Sequence, residues 1–191
     1  MARTDTDLVA RCLEGDLRAF DELVQRHQRP VYNVCLRMLG DRDEAADLSQ
    51  DAFVRAYSRL TRFERGRAFR PWLLRIAINL CLNALRGRRP ALPVDHGDSS
   101  EAGVVVLRAE SQGPDQALEA RELTTEVQRA VLSLPETYRA VAVLRHVEGM
   151  KYEEIAEVTG LPMGTVKTHL FRAKNLLRQS LAHLFEDAGE G

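Results

Sequence analysis

The sequence predicts an all-α protein of two small helical domains joined by a flexible linker, the C-terminal one built on a helix-turn-helix. Three observations support that expectation. Apolar residues recur at three- and four-residue spacing through residues 7–87 and again from about Gln116. No stretch alternates with period two for long enough to make a sheet, and the β-branched run Val104 to Leu107 stands alone with no strand to pair with. Between the helical stretches, "ALPVDHGDSSEAGVVVLRAESQGP" carries Pro, Gly, Ser and acids but no helical stripe.

The first domain is expected over residues 1–90. Its apolar positions are Leu8, Val9, Cys12 and Leu13, then Phe20, Leu23 and Val24, then Val31, Val34, Cys35, Met38 and Leu39, then Phe53, Val54, Tyr57 and Leu60. Gly15-Asp16, Pro30 and Gly40-Asp41 punctuate them as expected helix ends and starts. Glu44, Asp47 and Asp51 fall at i, i+3 and i+7 on the helix beginning near Asp43, with Gln50 and Arg55 near the edge of that face. On spacing alone such a carboxylate face is an ordinary solvated one.

The stretch "FRPWLLRIAINLCLNALRGRRP" (69–90) reads as a buried helix interrupted by Arg75, Asn79, Asn83 and Arg86. Their spacing makes one continuous stripe at 3.6 residues per turn, facing either solvent or a ligand. Just before it, "RFERGRAFRPW" sets a glycine among Arg62, Arg65, Arg67 and Arg70, with Phe63 and Phe69 at the ends. Cations placed this way suit a loop that tracks phosphate beside a pocket for an unstacked base. The phenylalanines fit core packing as well as they fit stacking.

Residues 91–114 make a linker of 24 residues. As a flexible coil it would span about 25–30 Å on average, and about 80 Å when drawn straight. The second domain, 115–185, opens with Leu118, Leu123, Val127, Val131, Leu132 and Leu134 on one face, and an acidic tail, 186–191, follows it. Within it, a short helix from Tyr152 to Thr159, a turn at Gly160-Leu161-Pro162 and a longer helix from about Gly164 to Leu181 have the helix-turn-helix layout. Gly160 suits the left-handed conformation that ends a helix, and Ala156 allows close approach. Between the apolar positions of the second helix lie Lys167, Thr168, His169, Phe171, Arg172 and Lys174, placed for base edges and phosphates if its N-terminal half enters a major groove.

Charge is segregated in a way the net value of −1 conceals. Arg59 to Pro90 holds nine arginines and one glutamate, and Met163 to Ser180 holds four basic residues and no acid. Asp95 to Glu126 holds eight acids against two arginines, and Asp41 to Asp51 five acids against one. Two basic blocks thus flank an acidic one, as expected of a protein that touches nucleic acid at two places.

Other classes are disfavoured. The chain has no glycine-rich phosphate loop, metal-ligand cluster or nucleophile with an adjacent base, so neither an enzyme nor a cofactor or metal is expected. Cys12, Cys35 and Cys81 are set far apart among apolar residues and read as reduced core thiols. There is no export signal and no uninterrupted apolar run long enough to span a membrane, so a cytosolic chain is expected. A conventional helix-turn-helix regulator with an N-terminal sensing or dimerisation domain remains the alternative.

The stretch "LPETYRAVAVLRHVEGMKYEEIAEVTGLPMGTVKTHLFRAKNLLRQSL" closely resembles the −35 binding domain of bacterial sigma factors. "DEAADLSQDAFVRAYSRLTRF" resembles the segment by which sigma factors grip core RNA polymerase, and "FRPWLLRIAINLCLNALRGRRP" resembles their −10 recognition helix. The small size and absent intermediate domain point to the extracytoplasmic-function (ECF) group of the sigma-70 family. The resemblance implies promoter-directed initiation and melting, with core RNA polymerase (β′ clamp helices and β subunit), promoter DNA and an anti-sigma factor as partners. It places −35 contacts at Lys167, Thr168, His169, Phe171, Arg172 and Lys174, and −10 contacts at Phe63, Arg65, Arg67, Arg75, Asn79, Asn83 and Arg86. Arg88 and Arg89 would add phosphate contacts, and Glu44, Asp47, Gln50, Asp51 and Arg55 would face polymerase. The implied site of action is the bacterial cytoplasm, where an anti-sigma partner can hold the factor at the membrane.

Overall fold

The computed structural model describes residues 3–64, 66–88 and 125–182, and among them no strand is present. The expected linker, the acidic tail, Arg65, Arg89 and the apolar positions Leu118 and Leu123 lie outside the described residues.

Helix α1 (Asp5–Leu13) starts at a reciprocal cap: the Thr4 hydroxyl accepts from the Asp7 N–H at 3.2 Å, and the Asp7 carboxylate accepts from the Thr4 N–H at 2.9 Å. After a turn at Gly15, Asp16 caps helix α2 (Leu17–Leu39) by accepting from the Arg18 N–H at 3.0 Å. The Asp5 carboxylate reaches back to α2, lying 2.6 Å from His27 Nε2 and 3.1 Å from the Arg26 guanidinium. Gly40 ends α2 at φ +79° with its N–H on the Leu36 carbonyl at 2.9 Å. Asp41 then caps helix α3 (Arg42–Arg59) by accepting from the Glu44 N–H at 2.8 Å.

Pro30 departs from expectation: it does not end a helix but sits inside the unbroken α2. An interior proline costs about 3 kcal/mol. Here the same face is buried on both sides of it, through Leu23 and His27 before and Val31, Val34 and Cys35 after. Burying a Leu or Val side chain returns about 1.5–3 kcal/mol each, so packing outweighs the local penalty.

A single 3₁₀ turn (Leu60–Arg62) leads through the arginine-rich loop into helix α4 (Phe69–Gly87). This helix packs on both α2 and α3, burying Leu73, Leu74, Ile76, Ala77, Ile78, Leu80 and Cys81. Cys35 and Cys81 are both fully buried and free. The contact with Cys35, reinforced by burial, pushes the Cys81 thiol far above the ordinary cysteine range, so it stays protonated.

In the C-terminal half, residues 125–133 form α5, followed by α6 (Glu136–His146), α7 (Tyr152–Thr159) and α8 (Met163–Ser180). Gly160 takes φ +71° and donates its N–H to the Ala156 carbonyl at 2.9 Å, closing α7 before the turn into α8. Val166 and Ala173 bury the inner face of α8.

The halves do not stand apart. α6 packs on α2 and α7 on α4, and one apolar core runs from Leu8 through Leu73 to Val141, Ile155 and Val166. Gly40 is so close to α5 that a Cβ there would lie 2.6 Å from Leu132 Cδ1. Arg139, buried at this seam, donates to the carbonyls of Met38, Leu132 and Leu134, the first belonging to the other half. Burial draws its guanidinium pKa below the ordinary arginine range.

Candidate nucleic-acid interface

Because α4 buries the rest of its circumference, Arg75, Asn79, Asn83 and Arg86 emerge together as an exposed stripe. Arg75, Asn79 and Asn83 line a groove of about 280 Å³ whose opposite wall is Arg55 and Arg59 of α3. Four cationic or amide side chains and two further arginines therefore share one surface, and Arg86 holds the Asn83 amide oxygen at 3.3 Å. Arg59 was not singled out by spacing, since it lies on a neighbouring helix. Arg55 stays beside the acids, pairing with Asp51 at 3.5 Å, and also lines this groove.

At the N-terminal end of α4, Phe63 and Phe69 are both buried. Phe63 meets Phe69 and Trp72 edge-on, at ring separations of 6.1 and 5.0 Å. Phe63 and Trp72 also line a cavity of about 170 Å³ together with Arg62, Arg67 and Arg75. Its remaining wall includes Glu157 from α7. The cavity thus sets two aromatic rings among three arginines, with Glu64 and Glu157 also in its wall; aromatic rings beside arginines are the groups a nucleobase and its phosphate use.

On α3, Asp47, Gln50 and Asp51 are exposed, while Glu44 is half-buried and paired with Arg88. That pairing joins a residue expected to face polymerase to one expected to face phosphate. Phe53 is buried as core. Val54 and Tyr57, two of the apolar positions in the helical pattern, are 65% and 49% exposed. They continue the face of Asp47, Gln50 and Asp51 by i+3 and i+7 spacing, and Phe20 of α2 meets Tyr57 edge-on at 5.0 Å, with the exposed Leu17 three residues before it on the same helix. A lone apolar residue on a polar face gave little signal in the sequence, whereas this cluster of four is apparent only once α2 and α3 pack.

On α8, Lys167, Thr168, Phe171, Arg172 and Lys174 are exposed, Phe171 to 66%. The Thr168 hydroxyl donates to the Gly164 carbonyl at 2.9 Å, which leaves its methyl and oxygen lone pairs outward. His169 is turned inward, its ring 4.7 Å from that of Tyr138 and its Nδ1 buried without a hydrogen-bond partner. Burial, with the nearby Arg172 charge, holds its pKa below the usual histidine range, so the imidazole is neutral. Among the described residues no cluster of His, Cys, Asp or Glu could hold a metal ion.

Residues 23–90 match the family model for sigma-70 region 2, and residues 124–177 that for sigma-70 region 4. Over 174 residues the chain is 36% identical to the ECF RNA polymerase sigma factor SigW of Bacillus subtilis (strain 168), covering 90% of this chain and 93% of the relative. It is 38% identical over 189 residues to the RNA polymerase sigma-H factor of Pseudomonas aeruginosa, covering 96% and 97%. The ECF sigma-E factor of Escherichia coli (strain K12) is 38% identical over 179 residues, covering 91% and 92%. Among solved structures, CnrH in complex with the cytosolic domain of CnrY superposes with TM-score 0.68 at 27% identity, covering 94% of this chain and 97% of that one.

Proposed function

The chain belongs to the sigma-70 family, in its extracytoplasmic-function group, and we propose that its exposed surfaces divide the work of initiation among named residues. The protein is an ECF-type RNA polymerase sigma factor: it binds core RNA polymerase, recognises −10 and −35 promoter elements, and promotes DNA melting and initiation. The reading that assigns residues to these tasks rests on one observation. The stripe of Arg75, Asn79, Asn83 and Arg86 is exposed as a unit on a helix otherwise committed to the core.

In this reading residues 1–90 form the polymerase and −10 domain, 91–114 the linker, 115–185 the −35 domain and 186–191 a tail. Asn79 and Asn83 make paired hydrogen bonds to −10 bases, Arg75, Arg59 and Arg55 supply phosphate contacts along the same groove, and Arg86 and Arg88 add others at the end of α4. Phe63, Arg65 and Arg67 surround the base taken out of the stack. Lys167, Thr168, Phe171, Arg172 and Lys174 meet the −35 element, with His169 supporting them through Tyr138. Asp47, Gln50 and Asp51 steer polymerase, and Val54 and Tyr57 anchor it by apolar burial.

The relatives are named as sigma factors, and this chain too is read as acting without catalysis of its own. No helix among the described residues is long and apolar enough to cross a membrane. Work alongside polymerase sets its place in the cytoplasm. CnrH was solved in complex with the cytosolic domain of CnrY, and a partner protein for this chain is part of the proposal: an anti-sigma factor that covers the basic faces and is able to hold the factor at a membrane.

The deciding experiment is transcription in vitro with purified core polymerase on a promoter library. Initiation at a defined set of sites is expected, and substitution of the stripe should abolish it. A chain that binds polymerase yet starts no transcript would sink this reading. A conventional regulator would need a second sigma factor in the same assay.

A further inference from the structure

His27 of α2 is buried between the first residue of α1 and the first residue of α4. On one side the Asp5 carboxylate lies 2.6 Å from its Nε2. A carboxylate only accepts, so Nε2 carries the proton and that bond fixes the plane of the ring. The other oxygen of Asp5 is held by Arg26 at 3.1 Å, and Arg26 also donates to the Arg3 carbonyl at 2.7 Å, so the acid is itself anchored. On the other side the His27 ring meets that of Phe69 at 5.5 Å. Phe69, also buried, meets Phe63 at 6.1 Å and Trp72 at 5.7 Å, and those two rings line the cavity of about 170 Å³ among the arginines.

From this chain of contacts we infer that His27, oriented by Asp5, is a positioning residue for base capture: it backs Phe69, which sets the tilt of the Phe63 and Trp72 rings against which the unstacked base packs. The inference rests on the reading of that cavity as the base site. The match to sigma-70 region 2 begins at residue 23, so Asp5 and all of α1 precede it. Helix α1 thereby has a task in strand capture although it carries none of the residues assigned to DNA. Position is transmitted through these rings because protein interiors are close-packed, so a displaced ring meets its neighbour at once. The ion pairs around Asp5 are partly exposed and add little stability by themselves. Their effect is to fix one ring.

The test uses the full chain assembled with core polymerase and a fork probe built on a promoter from the library, with 2-aminopurine replacing each non-template base of the −10 element in turn. One position should report capture in the wild type, and Phe63→Ala should abolish that signal. His27→Gln keeps a donor for Asp5 but removes the ring, and should weaken probe binding about 2- to 10-fold, the range that one aromatic contact spans. Asp5→Ala, which leaves the core volume intact, should cost about 2-fold. Asp5→Asn keeps an acceptor oxygen and should restore most of the signal. In the Phe63→Ala background neither His27→Gln nor Asp5→Ala should add a further loss. Affinity for a −35 duplex should stay the same, and its parallel fall would show that His27 serves the whole fold, which overturns the positioning role. So would folded His27→Gln and Asp5→Ala chains that capture the base as the wild type does while Phe63→Ala does not. A signal that survives Phe63→Ala removes the base from the cavity, and the inference falls with that reading.

Discussion

Arg172 of α8 donates to the hydroxyl of Tyr138 on α6 across 2.9 Å, so the arginine expected to read the −35 element is held from behind by the adjacent helix. The Tyr138 ring also supports His169 on the same helix. Removing the reader and removing its support should therefore differ. Arg172→Ala should weaken −35 binding by about 1–3 kcal/mol, as loss of a bidentate base contact does. Tyr138→Phe, which deletes one solvent-exposed hydrogen bond from the guanidinium and leaves Arg172 in place, should cost about 1 kcal/mol or less. Fluorescence anisotropy with matched and scrambled −35 duplexes separates the two, and equal losses on both duplexes would remove Arg172 from base readout.

Asn79 is exposed on the α4 stripe, so its truncation should spare the fold. Asn79→Ala is expected to shift stability by no more than about 0.5 kcal/mol. Opening at the −10 element should fall by about 1–3 kcal/mol while polymerase binding persists. Permanganate footprinting of the open complex, run beside a pull-down with core polymerase, reads both. Parallel loss of opening and pull-down would mean the residue serves the fold.

Val54 and Tyr57 point outward next to Asp47, Gln50 and Asp51. Val54→Asp and Tyr57→Ala should each weaken polymerase binding by about 1–3 kcal/mol, as buried anchors do. Thermal midpoints should hold, most clearly for Val54→Asp, because Tyr57 also touches Phe20. Asp47→Ala should instead slow association and do so less at high salt. Surface plasmon resonance with immobilised core polymerase checks all three.

His169 binds its proton less readily in the folded chain than its ordinary value of 6.5, because of burial first and Arg172 second. Below about that pH the unfolded chain takes up a proton that the folded chain refuses. The contribution of His169 is thus present above 6.5 and is lost as pH falls through 6.5 toward the lower folded value. The thermal midpoint of the wild type should drop between pH 7.5 and 5.5 by more than that of His169→Gln. Identical slopes for both proteins would show that the ring titrates freely.

Much of the local structure was legible in advance. The short helix Tyr152–Thr159 and the glycine turn follow from period and cap, and the α4 stripe from spacing, since these depend on residues within one or two turns. Other features depended on partners far along the chain. Pro30 reads locally as a break, yet buried neighbours on both sides carry α2 through it. Val54 and Tyr57 look like core until α3 is seen to bury only its small residues Ala45, Ser49, Ala52 and Ala56 with Phe53. Arg55 keeps its place beside Asp51 and gains a second neighbour only when α4 supplies the facing wall of a groove.

By itself, then, the sequence determined most of the helices, the order of the two halves and the polar stripe of α4, because periodicity, capping and charge act over a few residues. Only the tertiary structure decided that the halves close on each other and that Glu157 meets Arg67, 90 positions away. Contacts between distant segments are chosen by shape and burial at surfaces that do not exist until the helices have packed, and no local pattern encodes them.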